Sequence, residues 1–258
     1  MPDFFSWPPG VVIAACFAAA LVPPLVLWSI LASLSGRKGV IAFAGAEPAI
    51  IGTVSILFGL FAAFLANDIW TRNQVARQAV IDEADAVRNI ARLAEGQAEI
   101  SEQMRNALAE YTKVVIEKDW PLMAQGKRSL EVLPRVRTIS NLILSPQLAN
   151  GSGPVVQSKM LDAFVVLREK RQTRVIMAES RKLTIKWHAL VIFGFLTQLA
   201  ITITHLTRPR PMLLAHIVFG LALAACLSIL LLNEFPFSRL NPIPSEPFET
   251  ARASLFRS

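Results

Sequence analysis

Long apolar runs alternate with one extended polar block along this chain. Apolar residues dominate 11–34, the first part of 52–73, and both 190–206 and 212–232. A helix needs about 20 such residues to cross a bilayer. The pattern therefore predicts four membrane spans, and the short proline-containing linker 207–211 makes the last two an antiparallel hairpin.

The polar block between the second and third spans has the periodicity of helices. Val75, Ala79, Ala86 and Ile90 fall at helical spacing with charged residues between them. Strand-like alternation is nowhere sustained. The predicted fold class is an all-α integral membrane protein with four transmembrane helices and a helical extramembrane body. No Gly or Pro separates the end of the second span from this body, so one helix should run through both.

We expect two local interruptions of the helices. Pro23 and Pro24 lie inside the first span, where they remove backbone donors and should kink or break it. The segment 150–154, Asn-Gly-Ser-Gly-Pro, has the composition of a loop. The expected domains are the first two spans (1–70), the helical body (71–187), the last two spans (188–233) and a C-terminal tail (234–258).

Charge is concentrated in the central body. The chain is 53% hydrophobic and 17% charged, and Lys and Arg outnumber Asp and Glu by six within 71–187, out of a formal net charge of +7. More basic residues adjoin the membrane on the side of the termini and the body than on the side of Arg37, Lys38, Arg208 and Arg210. The positive-inside rule then places the body and both termini in the cytoplasm.

Patterns typical of enzymes and cofactor proteins are absent from the sequence. His188, His205 and His216 show no metal-ligand spacing, and the chain has no phosphate-binding glycine loop, dinucleotide fingerprint or nucleophile elbow. We therefore predict no enzyme activity, no cofactor and no metal site. The acidic cluster 82–85 is read as a solvated helix face, and the interspersed charges of the body argue against nucleic-acid binding.

The inner parts of the predicted spans contain no Asp, Glu, Lys or Arg. Coupled transporters usually carry such a group where coupling occurs. His216 is the one titratable residue with this placement, and we interpret it as hydrogen-bonded between packed helices. Two hypotheses remain, a passive pore and a non-conducting membrane-anchored helical module that senses a partner or serves as a scaffold.

The junction between the second span and the body resembles a known family. Residues 58–73, FGLFAAFLANDIWTRN, followed by Glu83, and later Tyr111, Trp120 and 234–237, EFPF, are similar to the signature of the bacterial bestrophin-like membrane proteins. Gly59 precedes Trp70 by eleven positions, as a Gly precedes a Trp in the second span of bestrophin anion channels. The resemblance covers most of residues 48–240.

This resemblance implies a homopentamer in the bacterial inner membrane, with the second helices around a central pathway for inorganic anions such as chloride. One face of that helix carries residues at spacings of four and three: Gly52, Ile56, Leu60, Ala63 and Asn67. Ile56 and Leu60 would form an apolar neck with small residues beside it. Periodicity alone equally allows these two to be ordinary packing within one subunit.

Two further groups of residues complete the expected site. Asp68, Trp70, Arg72 and Asn73 stand where the second helix leaves the lipid. Asp68 and Arg72 can pair along the helix, the Asn residues can reach neighbouring subunits, and Trp70 is also a typical interfacial anchor. Basic side chains at the outer mouth would attract anions: Arg37, Lys38, Arg208 and Arg210.

Overall fold

A computed structural model describes residues 7–34, 48–96, 100–180 and 185–256, with only the backbone for 32, 34, 48–50 and 149–152. All regular elements in these ranges are helical. They are α1 (Pro9–Leu34), α2 (Pro48–Glu95), α3 (Ser101–Val114), a π-helical turn (Val115–Asp119), α4 (Trp120–Met123), α5 (Val132–Ile143), α6 (Pro146–Glu179), α7 (Ile185–Thr204), α8 (Pro209–Asn233) and α9 (Glu246–Ser254).

Four of these helices have the length and composition to cross a membrane: α1, the first part of α2, α7 and α8. The predicted all-α membrane fold is therefore confirmed. The chain forms two compact units, one from residues 1–71 and 182–234 and the other from 72–181 and 235–258. We call them the membrane unit and the body.

The membrane unit is held together mainly where α1 packs along α8. Trp28 Nε1 donates a hydrogen bond of 2.7 Å to the carbonyl of Pro209. Further along, Gly220 faces the backbone of Ala20, where a Cβ would lie 2.6 Å from Leu21 Cδ2 and 3.3 Å from the Ala20 carbonyl oxygen. The absence of a side chain at Gly220 thus allows the two helices to approach closely.

The body has its own hydrophobic core, built from α2, α3, α5 and α6 and closed by the C-terminal segment. Trp120 is central to this closure because its ring makes edge contacts with Phe237 and Phe248. Its Nε1 also donates a hydrogen bond of 3.1 Å to the carbonyl of Ile243. The C-terminal segment from Phe235 onward is grouped with the body.

The expected interruptions take a different form. α1 continues through Pro23 and Pro24 without a break. In place of the loop predicted at 150–154, two helical segments of α6 meet at a kink, where Gly153 leaves helical geometry with φ 74° and ψ 160°. A left-handed φ is accessible to glycine at little cost, so one residue supplies the kink ahead of Pro154.

We predict that Gly220→Ala destabilises the membrane unit by about 1–3 kcal/mol, the usual cost of overpacking a tight contact. The added methyl group would force Leu21 to move and would press on the Ala20 carbonyl. Thermal unfolding of the purified protein in detergent measures the effect. Gly10→Ala is the control because a Cβ there meets nothing within 4 Å, and equal melting temperatures for the two variants would contradict the prediction.

Candidate pore face and buried charge cluster

The face of α2 singled out by its periodicity is exposed within the subunit. Gly52, Ala63 and Asn67 are exposed, and the side chains of Ile56 and Leu60 are 72% and 46% exposed. The buried side of the same helix carries Leu65 and Ile69, which pack against apolar residues of α7 and α8: Trp187, Leu190 and Leu230. Ile56 and Leu60 are therefore outside the core of the single subunit.

Two glycines on the exposed part of α2 have no steric role inside the subunit. A Cβ at Gly52 or Gly59 would meet no described atom within 4 Å. At Gly194 of α7 the same atom would touch Leu223 at 3.4 Å. A glycine inside a helix costs about 1 kcal/mol relative to alanine, and at Gly52 and Gly59 nothing described in the subunit offsets that cost.

The helix-exit residues divide between an ion pair and an exposed ring. Asp68 pairs with Lys186 at the start of α7, a partner that the helical spacing to Arg72 did not indicate. Trp70 is exposed, whereas Arg72 and Asn73 are partly buried. Next to Lys186, Trp187 Nε1 donates a 3.0 Å hydrogen bond to the buried carboxylate of Glu234. These contacts connect α7 to α2 and to the end of α8.

The expected outer mouth is described only in part. Arg208 and Arg210 are exposed at the beginning of α8, which starts at Pro209. Arg37 and Lys38 lie outside the described residues. The described part of the chain therefore provides two solvent-accessible cations at the turn between α7 and α8.

His216 is buried between α7 and α8, as its sequence context suggested. Its Nδ1 donates to Gln198 Oε1 at 2.6 Å, and its Nε2 lies 3.2 Å from Thr202 Oγ1. The ring is thus held by partners on the neighbouring helix. This arrangement satisfies the polar groups of a histidine within an apolar helix pair.

A cluster of charged groups lies inside the body, and we call it the charge cluster: Glu83, Tyr111, Asp119 and Arg174. Arg174 donates from Nε to Glu83 Oε2 at 2.7 Å, from Nη2 to Oε1 at 3.0 Å, and from Nη1 to Asp119 Oδ2 at 3.0 Å. The Tyr111 hydroxyl also donates to Glu83. Both carboxylates and the guanidinium are completely buried.

Aromatic rings and one backbone group complete the surroundings of the charge cluster. The guanidinium carbon of Arg174 lies 5.3 Å from the ring centre of Trp120 and 5.6 Å from that of Phe248. Asp119, the last residue of the π-helical turn, also accepts a 2.7 Å hydrogen bond from the amide of Ser129. The cluster thus connects α2, the π-helical turn, α6 and α9.

Burial and neighbouring charges shift two of these pKa values. Burial alone would lower the pKa of Arg174, but the charge and hydrogen bonds of Glu83 and the charge of Asp119 raise it above the ordinary arginine value. Burial raises the pKa of Tyr111 well above its ordinary value, and the negative charge of Glu83 raises it further. At neutral pH the cluster therefore holds a cationic arginine and a neutral tyrosine.

The sequence interpretation of the acidic cluster 82–85 as a solvated face holds for two of its three acids. Asp82 pairs with Lys170 and Asp85 with Arg88, whereas Glu83 points into the core. Glu83 shares the helical spacing of the buried residues Ala76, Ala79, Val80 and Ala86. This spacing was the signal in the sequence that Glu83 faces the core. Among the described residues no group of His, Cys, Asp and Glu is arranged to hold a metal ion.

Comparison with known proteins agrees with this architecture. The family described as Bestrophin-like domain matches residues 17–248. No curated protein matches the chain. One solved structure, described as the crystal structure of a membrane protein, superposes with a TM-score of 0.62 at 16% sequence identity and covers 93% of this chain and 97% of its own. At that identity the likeness concerns the fold alone.

The helices and their apolar surfaces define an all-helical, multi-pass membrane protein. Because the family model matches residues 17–248, the chain belongs to the bestrophin-like family.

We predict that Arg174→Met destabilises the body by about 3–5 kcal/mol, because it leaves two carboxylates buried without their counter-ion. Thermal or denaturant unfolding of the purified protein measures the loss. Lys170→Met is the matched control: it removes the partly exposed 3.0 Å pair with Asp82 and should cost below about 1 kcal/mol. A similar loss of unfolding free energy in both variants would show that the buried ion pair contributes no more to stability than the partly exposed one.

A second prediction concerns alkaline pH. Folding raises the pKa of Tyr111. The neutral tyrosine therefore stabilises the folded protein fully at pH values below the pKa of tyrosine in the unfolded chain, about 10. This contribution to the free energy of unfolding is lost as the pH rises above that value. Tyr111 is the single tyrosine in the chain, so tyrosinate absorbance reports it alone. We expect ionisation only together with unfolding.

Two measurements control this titration. In concentrated guanidinium the same absorbance should follow an ordinary tyrosine titration with a pKa of about 10. Tyr111→Phe should show no absorbance change in this range. A reversible titration near that pH in the folded protein would contradict the buried, neutral state of Tyr111.

Proposed function

We infer that this protein is a passive anion channel of the bacterial inner membrane, a homopentamer in which α2 lines the pore. Membership of the bestrophin-like family supports the class of protein. Each subunit contributes four spans, too few to enclose a wide pore, so the function requires an oligomer.

The observation that carries this proposal is the uncovered surface of α2. Only 6% of the apolar segment of the α2 span is buried in the subunit, compared with 44% for α7. The exposed glycines Gly52 and Gly59 are explained if α2 of a neighbouring subunit approaches them closely. A ring of such helices projects Ile56 and Leu60 towards the axis, where they form an apolar neck that gates by excluding water.

The remaining polar residues have roles in the same arrangement. Asn67 lies on the pore face below the neck, and Asn73 contributes to the contact between subunits. Arg208 and Arg210, with Arg37 and Lys38, attract anions at the outer mouth, while the basic body attracts them on the cytoplasmic side. Trp70 anchors α2 at the membrane interface.

The proposal predicts that Ile56→Ala combined with Leu60→Ala raises chloride flux into liposomes, because smaller side chains widen the neck. The folded protein should be recovered in similar yield, since both side chains lie outside the subunit core. Ile229→Ala combined with Leu221→Ala is the matched control, because these α8 residues are similarly exposed and lie on another helix.

The flux measurements distinguish the channel from a non-conducting protein. Increased flux for the Ile56→Ala, Leu60→Ala variant, without an increase for the α8 control, supports a neck formed by these two residues. Unchanged flux with a lower melting temperature would contradict it and identify Ile56 and Leu60 as packing residues. Absence of flux for every variant, with a protein that stays monomeric in mild detergent, would contradict the channel and favour the non-conducting sensor or scaffold.

A further inference from the structure

The membrane unit contains an apolar cavity between α1, α7 and α8. Its volume is about 770 Å³, and it is lined by residues such as Pro23, Leu27, Phe195 and Leu227. This volume falls within the roughly 300–1,000 Å³ typical of sites for small molecules. The cavity is separate from the exposed face of α2, because no α2 residue lines it.

One polar side chain belongs to this lining. Gln198 is 7% exposed and accepts from His216 through Oε1. Its Nε2 has no hydrogen-bond partner in the part of the chain that the structure describes. A buried donor without a partner costs about 1–3 kcal/mol, so an acceptor that reaches it from the cavity would recover this free energy.

We propose that the cavity binds a neutral lipid whose hydrocarbon chain lies along α1 and α7 and whose hydroxyl or carbonyl oxygen accepts a hydrogen bond from Gln198 Nε2. This contact requires the amide of Gln198 to turn so that Nε2, which is buried, faces the cavity. The lining contains no charged residue, and an ionised headgroup would be unpaired there at considerable cost. The surrounding bilayer supplies such lipids, and the site does not depend on anion conduction.

The test uses hexadecanol and hexadecane as probes of equal chain length with and without the oxygen. Native mass spectrometry of the full-length protein, released from detergent, counts bound probe molecules, and thermal unfolding measures the accompanying stabilisation. We expect one hexadecanol per subunit and about fivefold weaker binding of hexadecane, the factor that one hydrogen bond contributes.

Two variants and one control locate the site. Ala19→Phe fills the cavity from α1 without touching the His216 hydrogen bonds, and it should abolish binding. Ala18→Phe adds the same ring at an exposed neighbouring position that does not line the cavity, and it should leave binding unchanged. Gln198→Met should bind the two probes equally.

Three results would overturn the proposal. Equal affinity of wild-type protein for hexadecanol and hexadecane would remove the role of Gln198. Undiminished binding to Ala19→Phe would place the lipid elsewhere. Absence of probe binding, together with dissociation of an oligomer by Ala19→Phe, would show that a neighbouring subunit fills the cavity.

Discussion

A guanidinium group buried away from water has to find its partners within the protein, and Arg174 imposes this requirement on the body. Glu83 comes from α2, Asp119 from the π-helical turn and Arg174 from α6. Separation of any of these elements would leave an unpaired charge in the core, at a cost of several kcal/mol. We therefore expect the charge cluster to favour one register of these helices, in addition to the less specific attraction of the apolar core.

The π-helical turn carries one of the two carboxylates that pair with Arg174. It immediately precedes α4 and ends at Asp119, which accepts from both Arg174 and the amide of Ser129. A π turn shifts the residues that follow it around the helix axis relative to a regular α-helix. In this protein the shifted residues include Trp120, whose ring covers the guanidinium and contacts Phe248.

The helical class and the spans could be predicted from the sequence, because apolar runs of membrane length and helical periodicity are strong, local signals. The composition of 150–154 predicted a loop and marks the position of the break, but the structure confines this break to a kink at Gly153. Asp68 illustrates a different limit: helical spacing points to Arg72, but it cannot indicate the ion pair of Asp68 with Lys186, which is far along the chain. The inward orientation of Glu83 follows the helical spacing of its buried neighbours, but no local pattern identifies Arg174 as its partner.

The sequence shows the proposed pore face as a periodic pattern, but it does not show that this face is exposed in the subunit. Periodicity places Ile56 and Leu60 on one side of a helix but does not say what covers that side. In the structure the covered side of α2 is the one with Leu65 and Ile69. The cavity beside Gln198 had no signal in the sequence at all, since it arises where three helices fail to fill the space between them.

The uninterrupted course of α2 has a consequence for how the chain can be divided. Its 48 residues contribute Ile56 to the membrane unit and Glu83 to the body. The boundary between the two units, at residues 71 and 72, therefore falls inside a helix and not in a loop. A cut there would leave four amide groups and four carbonyl groups without their partners within the helix, so neither unit can be released without creating new helix ends.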